Sequence, residues 1–526
     1  MSPSEPQPRG GLRLFNTRTR RVEAFAPLRA NHVRVYVCGL TPSAEAHLGH
    51  ARSFMFFDVL RRYLVHLGYH VTFVQNVTDI DDRSIAAALE TGRDWKEIVE
   101  GYFVSFKRSM NRLHVLEPDH EPRATKYVPQ IIVMIAKLID GGHAYAVGDG
   151  VYFRVKSFPR YGALSGRKVD ELLIGARIAP DEQKEDPLDF ALWKLAKPGE
   201  PSWPSPWGDG RPGWHIECSA MSHELLGEPF DIHGGGYDLV FPHHENEVAQ
   251  SESLLPAPPM ANVWVHGGLL QFDNRKMSKS LGNFEPLYQL LDRHDPQAIR
   301  LLFLQTGYRK PMNFTEESIE GATTGLHRLF GAYDALRHAP PGPASGSSPG
   351  EVAVAPYSAR FAAALDDDMN TSGAVSVLFD LAAAAPQLIC DGAAVAAAAF
   401  LHESMALLGV SPAQRALEPA VTATLTHASL VGAGDATLML QVEGPADAAE
   451  RLPLNTVERL QNDLGPLVQL DGDAVEAVIE VIEARQLAKM QRDFGLADRF
   501  RDALKNLGIV VTDVKKDRVS WTVVGG

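Results

Sequence analysis

The sequence predicts an α/β protein whose parallel sheet is divided by a long insertion. Residues 31–38 form an apolar run typical of a buried strand, and apolar residues recur at helical spacing over 53–67. Gly68 supplies the glycine that commonly ends a helix, and residues 71–76 form a second apolar run. Strand, helix and strand in this order are typical of a mononucleotide-binding unit. We therefore expect a Rossmann-like parallel sheet.

Strand patterns return at 230–233 and 262–266, after a long segment of mixed helical and irregular pattern. We therefore assign the sheet to two halves, 13–85 and 208–285. The segment between them, 86–207, is predicted to be a connective insertion. An insertion of this kind lengthens one crossover between parallel strands and leaves the sheet itself unchanged.

The rest of the chain divides by composition and periodicity. Helical patterns dominate first, a Pro/Gly/Ser-rich stretch interrupts them, and strand-like alternation appears later. The predicted segments are a disordered leader without a signal peptide at 1–12, a helical region at 286–338, a linker at 339–356, a helical bundle at 357–408, an unassigned insertion at 409–473, and a small mixed module at 474–526 that ends in a hairpin.

Composition excludes several classes of protein. The chain has 526 residues, of which 45% are hydrophobic and 22% charged, as in ordinary globular enzymes, and no apolar run approaches the roughly 20 residues of a membrane span. The net charge of −14 gives no general affinity for polyanions, although residues 485–521 carry nine Lys/Arg against five Asp/Glu. Three cysteines make no disulfide framework and indicate a reducing, cytoplasmic compartment.

Two short strings have the chemistry of a polyphosphate site. His47 and His50 bracket Leu-Gly where the first helix begins, and phosphates favour helix starts because free N–H groups and the positive end of the dipole lie there. Lys276 and Lys279 lie in a serine-rich loop and could clamp a polyphosphate. Each string alone is weak evidence: the first arises easily by chance, and the second is also typical of a solvated basic turn.

Four residues have the chemistry of a zinc site. Cys38 ends the first strand, and Cys218 lies in a stretch that mixes apolar residues with possible ligands. His243 and Glu247 are four residues apart and share one face of a helix that Pro242 is expected to open. Two thiolates, an imidazole and a carboxylate are a ligand set suited to Zn²⁺.

Simpler interpretations of the same residues exist. A solvated helix start with a capping histidine explains the His-Glu pair, and buried free thiols explain the cysteines. We expect Cys390, in an alanine-rich stretch, to be such a buried thiol. Residues 234–236 are three glycines, which we predict form a loop that lets a ligand approach the backbone.

Taken in order, these residues match a known family. The string at 47–50 resembles the HIGH signature of class I aminoacyl-tRNA synthetases, and Lys-Met-Ser-Lys-Ser at 276–280 resembles its KMSKS partner. Within that class, further stretches resemble the cysteinyl-tRNA synthetases, namely 36–39, 76–82, 213–219 and 241–247. The resemblance is dense over 14–314 and returns at 361–381 and 474–521.

The resemblance assigns roles to individual residues. It implies that Cys38, Cys218, His243 and Glu247 hold one zinc ion per chain, which in the family binds the thiolate of the substrate cysteine. Residues implied to form the cysteine pocket are Gly39, Thr41, Thr78, Trp214 and His233. Those implied to bind ATP and stabilise its phosphates during catalysis are His47, His50, Lys276 and Lys279.

The implied reaction has two steps and needs ATP with Mg²⁺. Cysteine carboxylate attacks the α-phosphate of ATP, and the ribose hydroxyl at the tRNA end then takes the cysteinyl group and releases AMP. Because a sulfur–zinc bond rejects serine where apolar contacts discriminate only about 10–200-fold, we expect no editing domain. The resemblance also implies that 286–338 contacts the tRNA stem, that 474–526 binds the anticodon, and that the protein is a monomer.

The sequence departs from the family pattern at one site, and two alternative functions were considered. Residues 41–44 are Thr-Pro-Ser-Ala where family members commonly carry Thr-Val-Tyr-Asp, so contacts of the lost aromatic and acid are in doubt. Ligases that join cysteine to an aminosugar in thiol biosynthesis are similar in the catalytic half, but the basic 485–521 segment argues against them. A non-catalytic protein that binds nucleic acid or stores metal is disfavoured because all three motif sets are present.

Overall fold

The computed structural model describes residues 10–168, 183–256, 259–272, 275–276, 285–340, 349–412, 425–431, 437–443, 494–507, 509–515 and 518–523, together with isolated positions between 460 and 485. The chain forms two compact units, Met1–Val410 and Ser411–Gly526. Residues 1–9 of the predicted leader lie outside the described residues, whereas Leu12 is already buried in the first unit.

The strands of the first unit are β1 Arg13–Asn16, β2 Arg21–Ala24, β3 His32–Leu40, β4 His70–Val77, β5 Ala144–Val147, β6 Gly150–Phe153, β7 Phe190–Leu195, β8 Gly210–Pro212, β9 Phe230–Gly236, β10 Ala261–Gly267, β11 Leu270–Phe272, β12 Arg275–Lys276 and β13 Met312–Phe314. Its helices are α1 Leu48–His66, α2 Asp82–Thr91, α3 Trp95–Arg112, α4 Val128–Asp140, α5 Trp214–Leu226, α6 Glu245–Glu252, α7 Leu287–Arg293, α8 Pro296–Leu304, α9 Glu316–Arg337, α10 Pro349–Asp366, α11 Thr371–Cys390 and α12 Ala394–Leu407.

A parallel sheet of order β10-β9-β3-β4 forms the centre of the first unit, as the strand patterns predict. The chain runs outward from β3 to β4, passes through the insertion and returns beside β3 with β9. The direction of winding therefore reverses between β3 and β9. In open α/β sheets the crevice at the carboxyl ends of such a pair is the usual ligand position.

Helix α1 covers the sheet and begins at this same carboxyl edge. Met55, Phe57 and Leu60 point into the core and are almost fully buried, and burial of each such side chain contributes about 1.5–3 kcal/mol. Gly234 of β9 lies beneath α1, and a Cβ there would fall 2.2 Å from the Phe57 ring. The helix thus packs directly on the strand backbone.

Arg52 ties α1 to the turns that lead into a second, smaller sheet of order β12-β11-β13. Its buried guanidinium donates to the carbonyl oxygens of Gly268 (3.2 Å), Leu269 (3.0 Å), Gly307 (3.3 Å) and Lys310 (2.6 Å). Burial lowers the pKa of Arg52 to about 10, so it remains charged at neutral pH. The helix start and the strand that carries Lys276 are therefore linked through one side chain.

Strands β5, β6 and β7 of the insertion form an antiparallel sheet of order β5-β6-β7-β8, whose last strand lies just after the predicted end of the insertion at 207, and α4 packs beside it. Trp193 of β7 is fully buried in the core that this sheet shares with α5. Because α5 also packs against β3 and β4, the insertion and the central sheet meet along one helix.

Helices α9 to α12 form a bundle, so Glu316–Arg337, which precedes the predicted linker, packs with the helices of the predicted bundle segment. The stretch Thr371–Cys390 is long and apolar enough to cross a membrane by composition. Nine of its residues, including Leu378 and Leu381, are buried against neighbouring helices of the bundle, so core packing accounts for its apolarity. Arg300 of α8 is fully buried and donates to the Leu408 carbonyl and to Asp58, which links the end of the bundle to helix α1.

The second unit contains β14 Leu425–Val431, β15 Thr437–Glu443, α13 Phe494–Asn506, β16 Ile509–Lys515 and β17 Arg518–Val523. Its sheet has the order β14-β15-β17-β16, and β16 and β17 form the antiparallel hairpin predicted from the sequence. Strands β14 and β15 come from the segment 409–473 that the sequence left unassigned. That segment therefore completes the sheet of the C-terminal module.

Several sequence expectations differ from the structure. The three glycines at 234–236 are not a loop but the end of β9, where they admit α1 and the following turn. The regular helix does not begin at Pro242: the chain kinks at Phe241, whose backbone is extended, and α6 starts at Glu245. Helix α10 begins at Pro349, inside the range predicted as linker. Cys390 is free but exposed at the end of α11, not buried.

Candidate functional site

Four elements bring the predicted zinc ligands together at the switch between β3 and β9. Cys38 lies near the end of β3, and its Sγ lies 3.8 Å from the Sγ of Cys218 on α5 and 3.6 Å from Oε1 of Glu247 on α6. His243 Nε2 lies 3.1 Å from the same Glu247 oxygen. Cys38, His243 and Glu247 thus lie together, and Cys218 contacts this group through the sulfur of Cys38, so residues from three distant parts of the chain meet here.

The neighbouring His244 also belongs to this cluster, which sequence reasoning missed. Single donor atoms of Cys38, His243, His244 and Glu247 all lie within 4.8 Å of one another, and all four residues are buried. Consecutive histidines on a regular helix face different directions, and His244 has no ligand four residues on. The chain kinks at Phe241, whose backbone is extended, and the irregular turn before α6 places both rings at the cluster, a geometry that helical spacing alone does not reveal.

Each of three candidate ligands is held by a further histidine. His233 Nε2 lies 2.8 Å from Glu247 Oε2, His215 Nδ1 lies 2.9 Å from His243 Nδ1, and His244 Nε2 lies 3.2 Å from Cys38 Sγ. Partners of this kind orient metal ligands and are a regular part of metal sites.

The His244 contact continues into a longer chain of hydrogen bonds. His244 Nδ1 lies 2.7 Å from His266 Nε2, and His266 Nδ1 lies 2.8 Å from Thr17 Oγ1. If Nδ1 of His244 accepts from His266, its Nε2 carries the proton and donates to Cys38. Both nitrogens of His244 are therefore engaged, and the Cys38 side chain is anchored through His266 to the loop after β1.

Burial sets the protonation of the cluster. It raises the pKa of the Cys38 and Cys218 thiols and lowers the pKa of His243 and His244 well below the ordinary value, with neighbouring histidines adding to the lowering. A thiol loses its proton when it binds a soft or borderline cation, and a neutral imidazole binds such a cation directly. The donor set thus fits a divalent metal such as zinc.

The residues predicted to bind cysteine surround this cluster. Trp214 stacks on the His243 ring at 4.3 Å between centroids and is 42% exposed, so it faces both the cluster and solvent. His233 is fully buried, and its Nδ1 has no hydrogen-bond partner among the described residues. A buried nitrogen without a partner is costly unless a ligand satisfies it.

The remaining predicted pocket residues lie where β3 and β4 end. Position 39 has no room for a side chain, because a Cβ on Gly39 would fall 1.7 Å from the Asn76 carbonyl oxygen. Thr78 is buried, and its backbone N–H donates to the Leu40 carbonyl at 3.0 Å. Its hydroxyl accepts a hydrogen bond from the side-chain amide of Asn76. Thr41 follows β3 and is half-buried.

His47 and His50 form the start of α1 through a reciprocal cap. Gly49 N donates to His47 Nδ1 at 3.0 Å, and His47 N donates to His50 Nδ1 at 3.2 Å. Because each Nδ1 accepts, each ring carries its proton on Nε2. Desolvation, with a smaller effect of His47, lowers the pKa of His50 to about 3, so His50 is a neutral donor at physiological pH.

The basic loop is described only in part. Lys276 lies in β12, which pairs with β11, and only its backbone is described. Lys279 lies outside the described residues. The structure therefore locates only the strand that leads into the predicted polyphosphate-binding loop of Lys276 and Lys279, and the loop residues remain a prediction.

The fold resembles solved class I synthetases. A methionyl-tRNA synthetase from Mycobacterium tuberculosis, bound by methionyl-adenylate, matches with a TM-score of 0.52 at 16% identity over 72% of this chain and 89% of that one. Arginyl-tRNA synthetase from Thermus thermophilus matches with a TM-score of 0.50 at 15% identity, over 74% of this chain and 84% of that one. Identities this low support a shared fold only.

Sequence comparison defines the family. A model described as the tRNA synthetases class I (C) catalytic domain matches residues 24–324, and a DALR domain model matches residues 360–411. Cysteine–tRNA ligase from Pseudomonas aeruginosa is 45% identical over 507 residues, covering 96% of this chain and 98% of its own, and that from Chromohalobacter salexigens is 44% identical over 515 residues, covering 98% of this chain and 100% of its own. With this catalytic domain, this bundle and this identity over nearly its whole length, the chain belongs to the cysteine–tRNA ligase family of class I aminoacyl-tRNA synthetases.

Proposed function

We infer that the protein is an ATP-dependent ligase that activates cysteine as cysteinyl-adenylate and transfers it to the 3′ end of cysteine tRNA. The observation that carries this inference is the buried cluster of thiols, histidines and a carboxylate beside the His47–His50 helix start. An amino acid held at the cluster would present its carboxylate toward phosphates bound at the helix. The aminosugar ligase alternative is not favoured, because similarity to cysteine–tRNA ligases extends through the bundle and covers 96% of the chain.

We propose that Cys38, Cys218, His243 and Glu247 hold one zinc ion. His244 is the remaining candidate, but its two nitrogens already contact Cys38 and His266, which suits a residue that orients a ligand. When bound, zinc supplies a contact for the substrate sulfur that a serine hydroxyl makes less well. This ligand set leaves the histidine partners to fix the rings and carboxylate in place.

The pocket residues would orient the rest of the substrate. Trp214 covers the cluster from the solvent side, and Thr78, Gly39 and Thr41 line the ends of β3 and β4. His233, held by Glu247 through Nε2, presents an unsatisfied Nδ1 that a polar group of the bound cysteine would satisfy. Such a site rejects a substrate that leaves its buried polar atoms unpaired.

The adenylation step depends on phosphate stabilisation. The cysteine carboxylate attacks the α-phosphorus of ATP, and pyrophosphate leaves. His47 and His50 donate from neutral Nε2–H groups at the positive end of α1, and Lys276 and Lys279 act on the leaving pyrophosphate, with Mg²⁺ bound to the ATP. These contacts strengthen as charge develops on the phosphoryl oxygens, which is how such groups lower the barrier.

The transfer step needs tRNA. The ribose hydroxyl at its 3′ end attacks the adenylate carbonyl and AMP leaves. We propose that the region 286–338 contacts the stem, that the module at 474–526, with its basic 485–521 stretch, binds the anticodon, and that the protein acts as a cytoplasmic monomer.

The test is transfer of labelled cysteine to purified cysteine tRNA with ATP and excess unlabelled serine. Charging that serine does not inhibit supports both the ligase function and selection through sulfur. No charging, together with normal cysteine-dependent pyrophosphate exchange, would instead favour the aminosugar ligase. Metal analysis should find about one zinc per chain, and a metal-free preparation with full activity would defeat the zinc proposal.

A further inference from the structure

Arg300 of α8 lies where the ends of two other helices meet the side of α1. Its side chain is fully buried. Its Nε donates to the carbonyl oxygen of Leu408 at 2.7 Å, and its Nη1 donates to those of Leu113 at 2.8 Å and His114 at 3.3 Å. Its Nη2 donates to the carboxylate of Asp58 on α1. One guanidinium and these four acceptors therefore form a clamp that joins α8 to α1, to the end of α3 and to the end of α12.

Helices α3 and α12 end in the same kind of turn at this clamp. The residue after each C-cap has a left-handed backbone, with φ of 56° at His114 and 71° at Gly409. At α12, Gly409 N donates to the Ala406 carbonyl and Val410 N to the Met405 carbonyl, both at 2.9 Å, and the end of α3 has the same pair of bonds. This pattern leaves the C-cap carbonyl of each helix without a backbone donor. Arg300 donates to both of them, and the negative ends of the two helix dipoles favour its charge.

Ion pairing fixes the clamp to α1. Arg62, one turn after Asp58, donates to the same carboxylate at 2.9 Å and to the His114 carbonyl at 2.8 Å. Burial alone would raise the pKa of Asp58, but Arg300 and Arg62 together hold it below its ordinary value. Two guanidinium groups thus share one carboxylate, and carbonyl oxygens at helix ends accept from both of them.

The guanidinium reaches the end of α12 only because residue 409 is glycine. A Cβ on Gly409 would fall 2.2 Å from Cζ of Arg300 and 2.2 Å from its Nη2. Gly142, which follows the C-cap of α4 in the same kind of turn, has a similar φ of 77°, but a Cβ there would meet no atom within 4 Å. Both positions favour glycine through their backbone, and the close approach of Arg300 is particular to Gly409.

The clamp connects two parts of the protein that tRNA charging has to bring into register. Helix α1 begins with His47 and His50, which are proposed to act on the phosphates of ATP. Gly409 lies two residues before Ser411, where the second unit begins, and that unit contains the module proposed to bind the anticodon. Transfer needs the tRNA end at the adenylate, and a misplacement of about 1 Å caused far from the chemistry can cost about 100-fold in rate.

We propose that Arg300 is a positioning residue for the transfer step. By clamping the end of α12 to α1 and α3, it holds the point at which the second unit is attached, so that the 3′ ribose of a bound tRNA meets the adenylate. The proposal rests on the tRNA-charging function inferred above and adds to it a residue that acts through helix ends.

The experiment measures three rates: cysteine-dependent pyrophosphate exchange without tRNA, charging of full-length cysteine tRNA, and charging of a minihelix that has the acceptor and T stems but no anticodon arm. Arg300→Lys keeps a charge beside Asp58 and loses the planar fork that reaches two helix ends. We expect kcat/KM for the full-length tRNA to fall about 10- to 100-fold, while exchange and minihelix charging stay within about twofold of the wild type.

Gly409→Ala disturbs the same clamp from its other side and should give the same pattern. The double variant should lose little more than either single variant, because both substitutions act on one contact. Gly142→Ala is the matched control, since it adds a similar backbone strain without the clash and should charge both RNAs like the wild type. Arg360→Lys, which changes an exposed arginine paired with Asp380 in the bundle, controls for the loss of a guanidinium.

Three results would overturn the proposal: Arg300→Lys charges full-length tRNA like the wild type, it loses full-length and minihelix charging equally, or it loses pyrophosphate exchange in proportion, which would make Arg300 a support of α1 alone. Thermal unfolding checks each variant, and if Arg300→Lys does not fold, Gly409→Ala decides by the same three rates. A wild type that does not charge tRNA would overturn the proposed function itself. A wild type that charges tRNA beside variants that do the same overturns only the role of Arg300.

Discussion

Two histidine-bearing sites share the carboxyl edge of the central sheet, and they are held in different ways. At the start of α1 the bonds that fix His47 and His50 span at most three residues. In the cluster around Cys38, apart from the contacts of Glu247 with His243 and His244, the contacts join residues that are between 14 and 249 positions apart. The first site is a local structure that the helix itself creates, and the second exists only when the whole sheet and the insertion have folded.

This difference predicts different consequences of substitution. A change at the helix start should remove one donor to phosphate and leave the cluster intact. A change within the cluster should disturb several groups, because each ligand is held by a partner from another element. The experiments below separate the two sites by measuring zinc content and cysteine-dependent pyrophosphate exchange in the same preparations.

The largest effect is expected for Cys38→Ser. It removes a proposed ligand and leaves the His244 N–H without its sulfur acceptor, so we expect loss of zinc. Loss of a partner behind a ligand commonly costs 10–100-fold in metal affinity or activity, and loss of a direct ligand should cost more than about 100-fold in exchange. The matched control is Cys390→Ser, which changes an exposed thiol and should alter neither quantity. Full zinc content in Cys38→Ser would show that the site is assembled differently.

His50→Asn should have the next largest effect. It removes a donor at the helix start, and loss of one preorganised donor typically costs about 10²–10³-fold in kcat. Zinc content should not change, because no described contact joins His50 to the cluster. His66→Asn, at the exposed end of the same helix, controls for helix propensity. A loss of zinc in His50→Asn would contradict the separation of the two sites.

The same difference explains what the sequence could and could not predict. The parallel strands, α1 and its histidine pair follow from periodicity and a short string, because their determinants are local. Three of the predicted ligands, Cys38, His243 and Glu247, lie together with Cys218 in contact. His244, His266 and Thr17 could not be foreseen, since their roles depend on the kink before α6 and on contacts across the sheet. The prediction of a loop at 234–236 was wrong because tertiary packing decides these positions: Gly234 lies against Phe57 of α1, which is far away in sequence, and Gly235 lies against His244.

His244→Asn should reduce zinc affinity by an amount between the effects of the other substitutions, and it tests whether contacts between distant residues hold the cluster around Cys38. It leaves the proposed ligands in place but removes the group that orients Cys38, so we expect zinc affinity to fall by about 10–100-fold. His266→Asn acts on the same hydrogen-bond chain, and the double variant should therefore lose less than the two single losses combined. Simple additivity, measured by zinc titration against a chelator, would show that the two histidines act independently.

The smallest effect concerns stability and pH. Burial, with a contribution from His233, lowers the pKa of His266 to about 3, whereas the unfolded chain has an ordinary value near 6.5. Between these values the unfolded state binds more protons than the folded state, so stability present above about pH 6.5 is lost as the pH falls. One such histidine contributes up to about 1.4 kcal/mol per pH unit in that window.

His266→Gln should accordingly reduce the fall in unfolding temperature of the zinc-free protein between pH 6.5 and 5. His66→Gln, at an exposed position, should leave that fall unchanged. Because the cluster holds other buried histidines with lowered pKa values, such as His215, the variant should keep part of the dependence. A pH profile identical to that of the wild type would mean that His266 reaches solvent in the folded protein, and the chain from Thr17 to Cys38 would then not be a fixed element of the site.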